Sequence, residues 1–162
     1  MRKLLALLFF TITLGIAQGA YAGPYQDALA AYGRGDYATA LSLLRPLADQ
    51  GDAAAQFNLG VSYDDGQGVV QDHKEAVKWY RLAADQGDAQ AQNNLGLMYD
   101  NGQGVVQDYV RAHMWFNLSA FNGYSDASQY RDEVAKKLNS SQIQQAQEMA
   151  QRCQASSYQQ CD

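Results

Sequence analysis

Side chains that carry most enzyme chemistry are scarce in this sequence. Histidine and cysteine each occur only 2 times in 162 residues. Neither His73 nor His113 stands in an HExxH or comparable ligand spacing, so no metal is expected, and nothing implies a cofactor. No S-x-x-K or G-x-S-x-G marks an activated nucleophile, and no catalytic residue is expected. Basic residues are outnumbered, 12 against 17 acidic, for a formal charge of −5. A surface of that sign repels phosphate backbones, which argues against a nucleic-acid partner. Long apolar runs are missing too. The stretch from Leu4 to about Ile16 holds about 13 residues, where roughly 20 are needed to span a bilayer. What remains is an apolar fraction of 47%, enough for one packed domain or one short repeat array.

The apolar stretch has another use. Arg2 and Lys3 precede it, and Ala20-Tyr21-Ala22 follows it before Gly23. That order reads as a signal peptide over 1–22, cleaved after Ala22, and predicts a periplasmic or secreted product with no stable membrane insertion after cleavage. The mature balance is then 10 basic against 17 acidic residues. Both cysteines, Cys153 and Cys161, lie near the C-terminus. In an oxidising compartment two thiols most simply form a disulfide, here one that pins the tail to the last helix.

Comparison of the chain with itself gives its strongest signal. Residues 51–86 and 87–122 align without gaps at an offset of 36 and match at 21 positions. Such a period points to a repeat architecture. Each unit divides into two helices. Asp52 and Asp88 are placed to cap the first, Asp72 and Asp108 the second. Ala55, Leu59 and Tyr63 share one helical face, as do Ala91, Leu95 and Tyr99, and Gly66 or Gly102 ends that helix. The second helices place Ala76, Trp79, Tyr80 and Ala83, or Ala112, Trp115, Phe116 and Ser119, on a buried stripe. Gly60 and Gly96 leave room for a close neighbour, and Trp79 and Trp115 are expected to fill it. One helix pair cannot bury both of its faces, so the units must stack. The expected fold is all-α: a right-handed α-solenoid of stacked antiparallel helix pairs. Residues 23–50 read as a shorter, degenerate pair. Residues 123–162 read as a capping segment, with one helix over Ser125 to Leu138 carrying Tyr130, Val134 and Leu138. A last helix starts at Asn139 or Ser140, with Ile143, Ala146, Gln147 and Ala150 along it.

The run A-x-A-Q-x-N-L-G-x-x-Y-D-x-G-x-G-V-x-Q-D, followed by A-x-x-W-(Y/F), resembles the Sel1-like repeat, a relative of the tetratricopeptide repeat, of the secreted bacterial type. The likeness is strong from Gly51 to about Gly123 and looser over Asp27 to Gln50. It implies a non-enzymatic scaffold that holds a protein or peptide ligand in a concave groove lined by the first helix of each pair. Some cysteine-rich secreted relatives are associated with β-lactam binding or weak hydrolysis, but this chain lacks their repeated cysteine pairs.

The Asp-Gly-Gln-Gly loops, Asp64 to Gly68 and Asp100 to Gly104, fit neither a phosphate cradle nor a calcium loop, and read as helix–helix turns. The adjacent carboxylates Asp64 and Asp65 are expected on a solvated helix end. By register, Asn58, Val61 and Asp65 in one unit and Asn94, Leu97 and Asn101 in the next face the groove. Their amides can bond both donors and acceptors of an extended peptide, and the acids beside them favour a basic segment. The other reading, that Asn58 and Asn94 serve the repeat's own fold, stays open. Two further functions stand beside the envelope scaffold. One is an envelope hydrolase, or a protein binding peptidoglycan or β-lactams. The other is a structural subunit of a larger envelope assembly, in which Trp79 or Trp115 would be partly exposed.

Overall fold

Aspartates at matched positions start the paired helices, and glycines at matched positions end the first helix of each pair. The computed structural model describes residues 17–159 and 161, with side chains from residue 23 onward. The leader expected at 1–22 therefore lies outside the described side chains. Among the described residues there are eight helices and no strand. They are α1 (Ala17–Gly33), α2 (Tyr37–Asp49), α3 (Ala53–Asp65), α4 (His73–Ala84), α5 (Ala89–Asn101), α6 (Tyr109–Phe121), α7 (Ala127–Ala135) and α8 (Ser140–Ala155).

Asp52 accepts the Ala55 amide and Asp88 the Ala91 amide, each at 2.8 Å. Asp72 accepts from Lys74 and Glu75 at 2.9 and 3.2 Å, and Asp108 from Val110 and Arg111 at 2.9 and 3.0 Å. Each bond satisfies an amide that the first helical turn leaves without a partner. Gly66 and Gly102 close α3 and α5 with φ at +69° in both. Side chains cross the following loops: Gln71 donates to Asp64 O at 2.6 Å and Gln107 to Asp100 O at 2.7 Å. The second glycine of each loop marks a close approach. A Cβ on Gly68 would stand 2.7 Å from Tyr37 Cβ, and one on Gly104 would come within 2.9 Å of Lys74 N. Each loop thus seats on the first turn of the preceding second helix.

Consecutive helices pack in order from α1 to α6, which makes the body an α-solenoid of helix pairs. One expectation is corrected at the heart of the packing. The notch at Gly60 is filled by Tyr80 and that at Gly96 by Phe116, not by the tryptophans. Neighbours in sequence point about 100° apart around a helix, so Trp79 and Trp115 turn toward the flank. Trp115 is fully buried, whereas Trp79 is only half-buried, against a cluster formed by Leu41, Leu44, Leu47 and Leu59.

The C-terminal part departs from the pair pattern. Both α7 and α8 pack on α6. Helix α7 is shorter than the expected Ser125 to Leu138; Val134 is buried, and Tyr130 stacks on Phe116 with ring centroids 5.5 Å apart. Asn139 begins α8 with a reciprocal capping box: Gln142 N donates to Asn139 Oδ1 at 3.0 Å and Asn139 N to Gln142 Oε1 at 2.9 Å. Ala146, Ala150 and Cys153 form its inward stripe, while Gln147 points to solvent. Cys153 and Cys161 are joined by a disulfide with Cα atoms 4.4 Å apart.

Candidate interaction surfaces

On α3 and α5 the six residues singled out by register form matched stripes at i, i+3, i+7. Val61 and Leu97 are half-buried, Asp65 and Asn101 exposed, and Asn58 and Asn94 half-buried. Both asparagines already have work inside the array. Asn58 donates to Tyr25 OH at 3.0 Å, tying α3 to α1, and to Ala54 O at 2.8 Å. Asn94 lies beside the Tyr80 hydroxyl, where α5 meets α4. Among the described residues the first helices α1, α3 and α5 carry Asp27, Asp64, Asp65 and Asp100 and no Lys or Arg. Cations sit on the second helices and the cap instead: Arg45, Lys74, Lys78, Arg81, Arg111 and Arg152 among them. The two faces of the array therefore differ in charge.

Asp64 is not solvated as expected. His73 Nδ1 lies 2.8 Å from its Oδ1, and Tyr80 OH donates to its Oδ2 at 3.3 Å. Burial, and then the Asp64 charge, push the Tyr80 pKa far above its ordinary value of 10.0, so this hydroxyl stays protonated and acts as a donor. Burial also raises Tyr25 and Tyr32 on α1. The matching carboxylate one repeat later, Asp100, takes a different partner: Lys137 Nζ at 2.6 Å, from the turn before α8. That cation also lies 4.7 Å from the centre of the Tyr109 ring. Among the described residues no three His, Cys, Asp or Glu side chains gather as a metal site would need. His73 and His113 lie on different helices, α4 and α6.

A polar ladder along the turns between repeats has no counterpart in the sequence reading. Buried Gln56 donates to Ala48 O at 3.0 Å and accepts from Gln86 at 2.8 Å. Buried Gln92 donates to Ala84 O at 3.1 Å and accepts from Asn122 at 2.8 Å. Tyr158 then donates to Asn122 Oδ1 at 2.9 Å. A second recurrent tie joins Arg45 to Tyr63 OH at 2.9 Å and Arg81 to Tyr99 OH at 2.7 Å. The recurrence of Gln56 with Gln92 and of Tyr63 with Tyr99 was the available signal.

Comparison with known proteins agrees with this architecture. The Sel1 repeat family model matches residues 20–52, 53–88 and 89–124. The crystal structure of a protective antigen present in uropathogenic Escherichia coli strains, displaying an SLR fold, is 32% identical with a TM-score of 0.80. The match covers 87% of this chain and 32% of that one, so this chain spans about a third of its length. A Sel1 repeat protein from Oxalobacter formigenes is 31% identical with a TM-score of 0.64, over 72% of this chain and 90% of that one. None of the curated proteins matches the chain.

Proposed function

Because the chain belongs to the Sel1 repeat family, whose members typically mediate protein–protein interaction, we propose that it is an exported, non-enzymatic scaffold holding an extended peptide along its first helices. The observation that carries this reading is the half-open stripe of Val61, Asp65, Leu97 and Asn101, on helices that bear carboxylates and no cation. Apolar side chains there offer contact area, and the acids select a basic segment. The places of Asn58 and Asn94 inside the array make them supports of this surface rather than its readers of a backbone.

Export is supported by the buried disulfide, which suits an oxidising compartment. A relative that is a protective antigen fits a protein displayed outside the cytoplasm. Crosslinking in cells followed by mass spectrometry tests both parts. The captured chain should begin at Gly23, and the Asp65→Lys/Asn101→Lys variant should lose its partner while keeping its melting temperature. Partner capture indifferent to both changes overturns the peptide reading; an intact residue 1–22 segment on the captured chain overturns export by cleavage.

A further inference from the structure

We propose that the outer face of α4 is a second docking surface, which takes an acidic amphipathic helix presenting a tyrosine as α8 and Tyr158 do. It is separate from the first-helix stripe, so either surface stands if the other fails.

The chain carries this docking mode once, in cis. Helix α8 lies on α6, and the tail then turns back through Ser157 and Tyr158, both left-handed with φ of 52° and 65°. Side-chain residues resist that conformation, and the Cys153–Cys161 bond closes the turn that holds it. The turn delivers the Tyr158 hydroxyl to Asn122 Oδ1 at 2.9 Å. It lays the ring over Gly87, where a Cβ would stand 3.3 Å from Tyr158 Cε2. Beneath this cover Met114, Trp115 and Leu118 of α6 are all at 0% exposure.

The receiving parts recur 36 residues earlier. Gly51, with φ of +94°, matches Gly87 at +85°. Gln86 matches Asn122, and each donates at 2.8 Å to the glutamine of the ladder, Gln56 or Gln92. Yet a Cβ at Gly51 would meet nothing within 4 Å, and Gln86 is exposed. Leu82, the counterpart of Leu118, is 47% exposed, and Trp79, the counterpart of Trp115, is half-buried. Among the described elements α4 packs on α3 and α5 and has no counterpart of α8.

Charge names the occupant. Where α6 has Met114 and Val110, α4 has the exposed cations Lys78 and Lys74; Glu75 pairs with Lys78, the cap Asp72 also acts on Lys78, and Lys74 is left to meet an incoming carboxylate. A helix lying here must therefore bring carboxylates to the cations and apolar side chains to Trp79 and Leu82. Helix α8 itself has one carboxylate, Glu148, and one cation, Arg152, and it is engaged on its own α6. The α8 of a second copy therefore lacks the charge for the site, and the partner is a different protein.

The probe is a synthetic, disulfide-closed peptide of residues 138–162 carrying Gln142→Glu and Met149→Glu, which flank the inward stripe of α8, titrated into the intact oxidised chain and followed by NMR. The Trp79 indole N–H resonance should move and that of Trp115 should stay. Leu82→Glu in the chain should raise Kd at least tenfold without shifting Tm, and Tyr158→Phe in the peptide should raise it several-fold. The unmodified peptide should bind at least tenfold more weakly than the acidic one. Movement of the Trp115 resonance instead, equal binding of both peptides, indifference to Leu82→Glu, or no movement at millimolar peptide each overturns the proposal.

Discussion

The Tyr80 ring lies so close over Gly60 that a Cβ at that position would stand 2.5 Å from Tyr80 Cε1. Phe116 stands in the same relation to Gly96, again with 2.5 Å to Cε1. Both rings are essentially buried, so neither can swing away. Helical alanine is favoured over glycine by about 1 kcal/mol, but overpacking a filled core costs ~1–3 kcal/mol. Gly60→Ala and Gly96→Ala should each therefore destabilise the array, by up to about 2 kcal/mol in urea unfolding, with m unchanged. In a Tyr80→Leu background the Gly60→Ala cost should shrink, because the ring that it strikes is gone.

Gln92 is wholly buried and joins two repeats, donating to Ala84 O at 3.1 Å and accepting from Asn122 at 2.8 Å. Gln92→Leu keeps the volume but leaves a carbonyl and an amide without partners, a loss of ~1–3 kcal/mol. Chemical denaturation should register that loss, while Gln144→Leu on the exposed side of α8 should leave the midpoint within error.

What the sequence makes legible is what local geometry decides. Asp52, Asp72, Asp88 and Asp108 cap helices because a short carboxylate before a helical run reaches amides two or three residues on. The notch at Gly60 is legible as a gap, but its occupant is not. Trp79 and Tyr80 are adjacent, and a one-residue difference in helix rotation decides which of them enters. The polar ladder was hidden for another reason. Gln86 meets Gln56 across 30 residues, and Tyr158 meets Asn122 across 36, so nothing local marks them as partners. Asp64 illustrates the same limit: its place at a helix end suggests solvent, while His73 and Tyr80 arrive from the next helix. Of the first-helix stripe, the positions were readable from the period, but the engagement of Asn58 by Tyr25 and the place of Asn94 beside Tyr80 were not.

The disulfide spans a sequence separation of 8 and holds a turn with two left-handed residues that carry side chains. Closing so short a loop contributes ~2–3 kcal/mol on the loop-entropy view. Cys153→Ala/Cys161→Ala should lower stability by about 2 kcal/mol and free Tyr158 from Asn122. Limited proteolysis should then cut the variant beyond Ala155 at protease levels that leave the oxidised chain whole. Equal cutting of both would mean that the packing of Tyr158 alone holds the tail.

His113 is 3% exposed on α6, and its Nδ1 has no hydrogen-bond partner. Burial first, and the Arg131 cation second, hold its pKa below the ordinary 6.5, against an opposing pull from Asp132. The unfolded chain thus takes up a proton near pH 6.5, while the folded chain waits for a lower pH. Stability from this group is complete above that value and is lost as the pH falls below it, by at most ~1.4 kcal/mol per pH unit until the folded form also protonates. Carboxylates ordinarily titrate lower, near pH 4, so the histidine dominates the first part of an acid titration. Urea midpoints measured between pH 7.5 and 5.0 should fall for the native chain and stay nearly level for His113→Leu. Parallel slopes for the two proteins would place the acid sensitivity elsewhere.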